Sequence, residues 1–181
     1  DFSGCTSLTE IYIPDSVKEV RNHTFDGCKN IRSVRFSNEL VSIGACAFLG
    51  CESLEKVILP ASVISIGDQA FRNSGITTIK APGVTRIGKY AFDGCNRLTV
   101  ADFSEKLQLI GEKAFHTCEA LTEINIGDGK EYKSIDGVLF TADKKTLLVY
   151  PAGKTSGEYK VPSGVEKIEA YAFLNAKIES V

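Results

Sequence analysis

Phenylalanines recur along this chain in nearly the same local sequence. The first four are each 23 residues apart, and the surrounding pattern is clearest over residues 43–60, IGACAFLGCESLEKVILP. The full set is Phe2, Phe25, Phe48, Phe71, Phe92, Phe115 and Phe173. A fixed period of roughly 20–50 residues is typical of solenoids, in which stacked repeats share one core that no single repeat could form. The period therefore predicts a single elongated domain over residues 1–181.

Each repeat contains two extended pieces and one turn. The first piece reads L-x-x-I-x-I, and its alternation places the last apolar residues on one side of a strand. The second piece, V-x-x-I, is shorter, and the A-F-x-G-C segment then turns the chain. Gly27, Gly50 and Gly94 in that segment suit a left-handed backbone. Stacking at ~4.8 Å per repeat predicts parallel strands and columns of like residues, with right-handed connections.

Two departures from the regular pattern are visible. The fourth repeat has only 21 residues, because one residue is lost before Ile76 and another before Val84. Over about 127–164 the period breaks, and two apolar runs, Val138 to Thr141 and Leu147 to Tyr150, flank a polar turn. That arrangement predicts a β-hairpin carried by one decorated repeat rather than a second domain.

The recurrent IGxxAFxGCxxL motif resembles the BspA-like leucine-rich repeats, and the similarity extends over the whole chain. It implies a mostly β solenoid of parallel stacked strands with a hairpin insertion. Repeats are in progress at both ends of the sequence, so we expect a segment of a longer array whose targeting signals lie elsewhere.

Cysteine follows the repeat as well. Five cysteines occupy one slot and Ser74 fills that slot in the fourth repeat; they are Cys5, Cys28, Cys51, Cys95 and Cys118. A column of buried reduced thiols predicts one cysteine at the same position of each repeat, whereas a disulfide framework does not. Disulfides between neighbours stay an alternative, and zinc is disfavoured because no C-x-x-C pair exists. Cys46 lies at a variable position and is expected to be half exposed, as a surface thiol or in an intermolecular pair.

Other chemistry finds little support in the sequence. The net charge of −2, with 24% charged residues and no basic run, argues against nucleic acid or anionic membrane as a partner. No apolar run reaches the ~18 residues of a membrane span. His116 lies two residues from Cys118, but a catalytic pair needs an exposed thiol, and this one is expected to be buried. We therefore expect no enzyme, cofactor or metal site.

The variable outward positions of the first strand are the candidate binding surface. Its two adjacent stripes run Tyr12, Arg35, Ile58, Lys80, Asp102, Asn125 and Glu10, Ser33, Lys56, Thr78, Val100, Glu123. A merely solvated face would vary in the same way, but an exposed isoleucine beside tyrosine and arginine favours contact with a protein. The predicted binding residues, called the strand face below, are Glu10, Tyr12, Arg35, Lys56, Ile58, Lys80, Asp102 and Asn125.

The family resemblance extends these expectations to function. Proteins similar to BspA are found at the surface of host-associated bacteria, and some bind extracellular-matrix proteins or other bacteria. The resemblance thus implies an adhesin-like, cell-surface or secreted module that binds a host or bacterial protein without catalysis. The alternative is a structural spacer that presents another domain.

Overall fold

The computed structural model describes residues 2–155 and 157–181. Asp1 and Ser156, which belong to the predicted domain and to its predicted decorated repeat, lie outside the described residues. The first strands of the repeats are β1 (Glu10–Tyr12), β3 (Ser33–Arg35), β5 (Lys56–Ile58), β7 (Thr78–Ala81), β9 (Val100–Phe103) and β11 (Glu123–Asn125). The second strands are β2 (Glu19–Val20), β4 (Ser42–Ile43), β6 (Ser65–Ile66), β8 (Arg86–Ile87), β10 (Leu109–Ile110) and β15 (Lys167–Ile168). Between β11 and β15 lie β12 (Tyr132–Ile135), β13 (Val138–Thr141) and β14 (Thr146–Val149).

Equivalent strands stack in parallel, with like residues in register. The second strands other than β15 form one sheet in the order β10-β8-β6-β4-β2, in which Ile43, Ile66 and Ile87 are aligned. The first strands form two sheets, β1-β3 and β5-β7-β9-β11. The predicted leucine-rich-repeat solenoid of parallel stacked strands is therefore confirmed.

The recurring phenylalanines form a continuous column through the core. From Phe2 to Phe115, neighbouring ring centroids are 5.3–5.7 Å apart and the rings lie within 21° of parallel. These spacings are those of offset stacked aromatic pairs, which stabilise a core beyond their buried area. Each column member thus contacts the repeats on both sides, so the repeats depend on their neighbours.

The turns around this column also stack. We call each G-x-x-A-F-x-G turn a corner, numbered by its repeat. Gly27, Gly50 and Gly94 have φ of +69°, +65° and +72°, which confirms their predicted left-handed backbone. A second left-handed position, which the sequence did not reveal, lies two residues before the column aromatic in His23, Cys46, Gln69, Tyr90, Lys113 and Tyr171.

The shortened fourth repeat depends on two glycines. Gly75 and Gly83 stand directly before Ile76 and Val84, where the pattern has lost a residue. A Cβ atom at Gly75 would overlap the carbonyl oxygen of Glu52, and one at Gly83 would overlap that of Ala61. The chain can therefore take the shorter path only by packing bare backbone against the third repeat.

The decorated repeat contains the predicted hairpin and one strand more. β13 and β14 pair antiparallel, as expected, but β12 also pairs antiparallel with β13. β14 then pairs in parallel with β15, which returns the chain to the solenoid. Tyr150 follows β14 and stacks on Phe173, with centroids 5.2 Å apart, so it occupies the place of a column phenylalanine.

Candidate functional site

The strand face projects from the sheets as the alternation predicts. Ile58, Lys80, Asp102 and Asn125 are aligned along β5, β7, β9 and β11, and Arg35 is aligned with Tyr12. Tyr12 is 60% exposed and Ile58 is 68% exposed. Glu10, Arg35, Lys56 and Lys80 are also exposed, whereas Asp102 and Asn125 are half-buried. The structure thus places all eight predicted residues along one face.

The centre of this face combines apolar surface with positive charge. The guanidinium carbon of Arg35 lies 5.4 Å from the centre of the Tyr12 ring, a cation–π distance. Among the described residues, Arg35, Lys56 and Lys80 form no ion pair with a carboxylate. Of these three cations without salt bridges, Lys80 is aligned with the exposed Ile58, Lys56 lies two residues before it on β5, and Arg35 occupies the equivalent position one repeat earlier. We call Tyr12, Arg35, Lys56, Ile58 and Lys80 the central patch.

The far end of the face is polar and acidic. The Asn125 side-chain amide donates to Asp102 Oδ1 at 2.9 Å and to Glu123 Oε2 at 3.2 Å. An open cavity of about 600 Å³ adjoins Asn125 and is also lined by Asp136 and Lys154. The last two residues belong to the decorated repeat, where no repeat pattern could reveal them. The face therefore changes along its length from cationic to acidic.

All six thiols are free, and every member of the cysteine column except Cys5 is buried. Four column thiols donate to the phenylalanine carbonyl of the preceding repeat, as Cys51 does to Phe25 at 3.3 Å and Cys95 to Phe71 at 3.0 Å. Burial raises the pKa of the Cys51 thiol and of the Cys95 thiol to about 12. Because thiolate is the reactive form, these groups are inert in the native protein.

Two cysteines differ from expectation. Cys46, predicted to be half exposed, is buried at 8% exposure. Its corner packs directly against the next one, where the Cys46 N–H donates to the Asp68 carbonyl at 2.9 Å, and its side chain is short, whereas the longer His23 side chain at the equivalent position is exposed. Cys5, placed with the buried column by its phase, is instead half-buried.

His116 does not form a nucleophilic pair with Cys118. The Cys118 thiol is buried and donates to the Phe92 carbonyl at 3.1 Å, and burial raises its pKa well above the usual value. The His116 ring instead contacts the buried Asp93 carboxylate, with Nδ1 3.1 Å from Oδ1. Arg72 Nε lies 3.0 Å from the other oxygen of Asp93, without hydrogen-bond alignment. This cluster joins three successive corners electrostatically.

Within residues 2–155 and 157–181, no group of three or more His, Cys, Asp or Glu side chains could hold a metal ion. Across the same ranges, no helix is long and apolar enough to cross a membrane.

Solved structures similar to this chain are bacterial leucine-rich repeat proteins. A leucine-rich cell surface protein from Faecalibacterium prausnitzii is 29% identical, with a TM-score of 0.65 over 92% of this chain and 52% of that one. A leucine-rich repeat protein from Eubacterium ventriosum is 24% identical, with a TM-score of 0.69 over 92% and 51%. The pneumococcal vaccine antigen PcpA is 22% identical, with a TM-score of 0.66 over 91% and 42%. The chain thus spans about half the length of these structures or less.

A family model matches the chain, although no curated protein sequence is significantly similar to it. The family described as BspA type leucine rich repeat region, in six copies, matches residues 1–95, which is more than half of the 181 residues. This chain belongs to the BspA-type leucine-rich repeat family.

Proposed function

We propose that this chain is a cell-surface or secreted protein-interaction module that binds its partner through the strand face. The observation that carries the proposal is the central patch. Ile58 and Tyr12 are largely exposed there, beside three cations that form no salt bridge within the described residues. Aromatic and arginine side chains supply much of the energy of protein interfaces, and a solvated face has no need of exposed apolar anchors.

The charge and the apolar surface of the central patch indicate what kind of partner it binds. Arg35, Lys56 and Lys80 favour a surface that presents acidic residues, since complementary charge speeds association and suppresses wrong partners. Tyr12 and Ile58 favour an apolar contact at the centre of that surface. The partner we propose is a folded protein with acidic residues around an apolar site, either a host extracellular-matrix protein or another bacterial surface protein.

Family and relatives support the location and the adhesin-like role. The similar Faecalibacterium protein is described as a cell surface protein, and PcpA as a vaccine antigen. Stacked repeats build the extended surfaces that solenoid proteins use for binding.

A binding assay tests the proposal. Wild-type chain is applied to immobilised extracellular-matrix proteins and to intact bacteria, beside a variant with Tyr12→Ala, Arg35→Ala and Ile58→Ala. The matched control carries Ile64→Ala, Arg86→Ala and Leu109→Ala, exposed residues in or directly before the second strands. We expect the face variant to bind at least about thirtyfold more weakly, as for loss of interface anchors, and the control to bind normally.

The opposite results are equally informative. Full binding by the face variant would show that the strand face is not the contact surface. Absence of binding by the wild-type chain to every matrix protein and cell tested would favour the spacer role.

A further inference from the structure

The sixth corner lacks the neighbour that the earlier corners have. In the second to fifth corners, three main-chain N–H groups donate to carbonyls of the next corner: that of the column phenylalanine and those two residues before and after it. In the third corner these donors are Cys46, Phe48 and Gly50, at 2.9, 2.7 and 2.8 Å. This hydrogen-bonded stack satisfies the inner backbone of the turns.

At the sixth corner the equivalent donors have no acceptor in the part of the chain that the structure describes. The N–H groups of Lys113, Phe115 and Thr117 form no hydrogen bond within the described residues. The cause lies in the decorated repeat, where Tyr150 follows Leu147 by three residues, whereas Phe173 follows the paired Ile168 by five. The connection after β14 is therefore too short to build a corner, and one level of the stack is missing.

A cavity of about 460 Å³ occupies this missing level, within the range of ligand sites. Its lower wall is the sixth corner, 111–118, with the three donors. Its upper wall is 169–174, where the Ala170 and Leu174 carbonyls accept no hydrogen bond within the described residues, and the Ala172 carbonyl accepts the Tyr150 N–H at 2.7 Å. The remaining lining is mainly apolar and includes Leu139 and Leu148. We call this space the junction cavity.

Side chains from the two walls meet at its edge. Lys113 Nζ, from the lower wall, lies 4.9 Å from the centre of the Tyr171 ring, from the upper wall. The His116 ring contacts the same tyrosine edge-on, at 5.7 Å between centroids. Tyr171 is 59% exposed, so it can swing outward without leaving a packed core.

We propose that the junction cavity binds a short peptide segment of a partner protein that follows the path of a corner and carries a large apolar side chain. Unpaired donors on alternate residues of one wall, and unpaired carbonyls on the other, match the acceptors and donors that a stacked corner supplies in the earlier repeats. The apolar lining beside Phe115 accommodates the side chain. This site is separate from the strand face and does not depend on it.

The probe is a synthetic tetrapeptide, acetyl-Gly-Lys-Tyr-Ala-amide, which copies the fifth corner at residues 88–91. It is titrated into the isotope-labelled chain and followed by amide NMR. We expect saturable shifts at the Lys113, Phe115 and Thr117 amides and slower hydrogen exchange there. The Cys46, Phe48 and Gly50 amides, already paired, should not respond.

Two comparisons keep the test specific. Leu148→Trp fills the cavity and should abolish the shifts, whereas Ile64→Trp, at an exposed position directly before β6, should leave them unchanged. A peptide with an N-methylated tyrosine lacks a donor for the upper wall and should bind about tenfold more weakly, because it leaves a carbonyl unpaired. This second comparison holds even if the tryptophan variant does not fold.

Three results would overturn the proposal. The first is that the chemical shifts of the three amides do not change even at the highest concentration at which the peptide is soluble. The second is equal binding by the N-methylated peptide. The third is equal or tighter binding by N-acetyl-tyrosinamide, which would make the cavity a small-molecule site.

Discussion

The thiol of Cys95 donates to the main-chain carbonyl of Phe71, one repeat earlier, at 3.0 Å. Cys51 makes the same contact with Phe25, and Ser74 occupies the equivalent slot in the fourth repeat. The slot therefore takes a small side chain that can donate to the backbone below it. This geometry explains a cysteine in nearly every repeat without any disulfide.

The cysteine column predicts a loss of stability at high pH. An unfolded thiol loses its proton near pH 9, whereas the native Cys51 and Cys95 thiols keep theirs up to about pH 12. Their stabilising effect is thus complete below pH 9 and decreases as pH rises, by about 1.4 kcal/mol per pH unit for each thiol. Urea unfolding between pH 8 and pH 11 measures it. A Cys51→Ser, Cys95→Ser variant should show a shallower decline; an identical decline would contradict the assignment.

Thiol reactivity should distinguish Cys5 from the rest. Cys5 is half-buried, whereas the other five cysteines, including Cys46, are buried. We expect one fast-reacting thiol in a native titration and six after denaturation. Cys5→Ser should remove the fast phase and Cys46→Ser should not. A fast phase that disappears with Cys46→Ser would show that this thiol is exposed after all.

Gly75 and Gly83, which allow the chain to take the shorter path of the fourth repeat, should not tolerate a side chain. In Gly75→Ala the new methyl group would overlap the Glu52 carbonyl, so the third and fourth repeats must separate. We expect a loss of at least about 2 kcal/mol in the free energy of unfolding, as for overpacking against rigid backbone. Gly164→Ala is the control, because a Cβ there meets nothing within 4 Å. If the two changes lowered the free energy of unfolding equally, the close packing of Gly75 against the third repeat would be contradicted.

Truncation of the phenylalanine column should act locally. Phe48 is fully buried, with Phe25 and Phe71 stacked 5.3 Å away on either side. Phe48→Ala should cost about 3–5 kcal/mol, and repeats stabilise only their neighbours. Native-state hydrogen exchange should therefore accelerate most at the corners of Phe25 and Phe71 and least at that of Phe115. Uniform acceleration would indicate a single cooperative core.

Periodicity predicts the columns but not the contacts that cross between repeats. Phenylalanine, cysteine and strand positions follow from the 23-residue spacing, because like residues must stack. The cluster around Asp93 could not be predicted in this way, because the partners of Asp93, Arg72 and His116, occupy variable positions one repeat away on either side. β12 was missed because its four residues are all half-buried and show no alternation.

The junction cavity could not be predicted from the sequence for a related reason. It depends on how the short connection from Leu147 to Tyr150 aligns with the following repeat, and that register is visible only in space. Cys46 shows the same limit on a smaller scale. Its position varies between repeats as a surface position would, yet this short side chain is buried in a corner that packs against the next one.

Hydroxyl-radical footprinting of the chain bound to an immobilised matrix protein or bacterial cell tests the strand-face account most directly. Free in solution, Tyr12 and Ile58 on the first strands, Ile64 directly before β6 and Leu109 on β10 are all exposed and should oxidise. On binding, we predict protection of Tyr12 and Ile58 and unchanged oxidation of Ile64 and Leu109. Protection of Ile64 and Leu109, with Tyr12 and Ile58 still oxidised, would contradict the account.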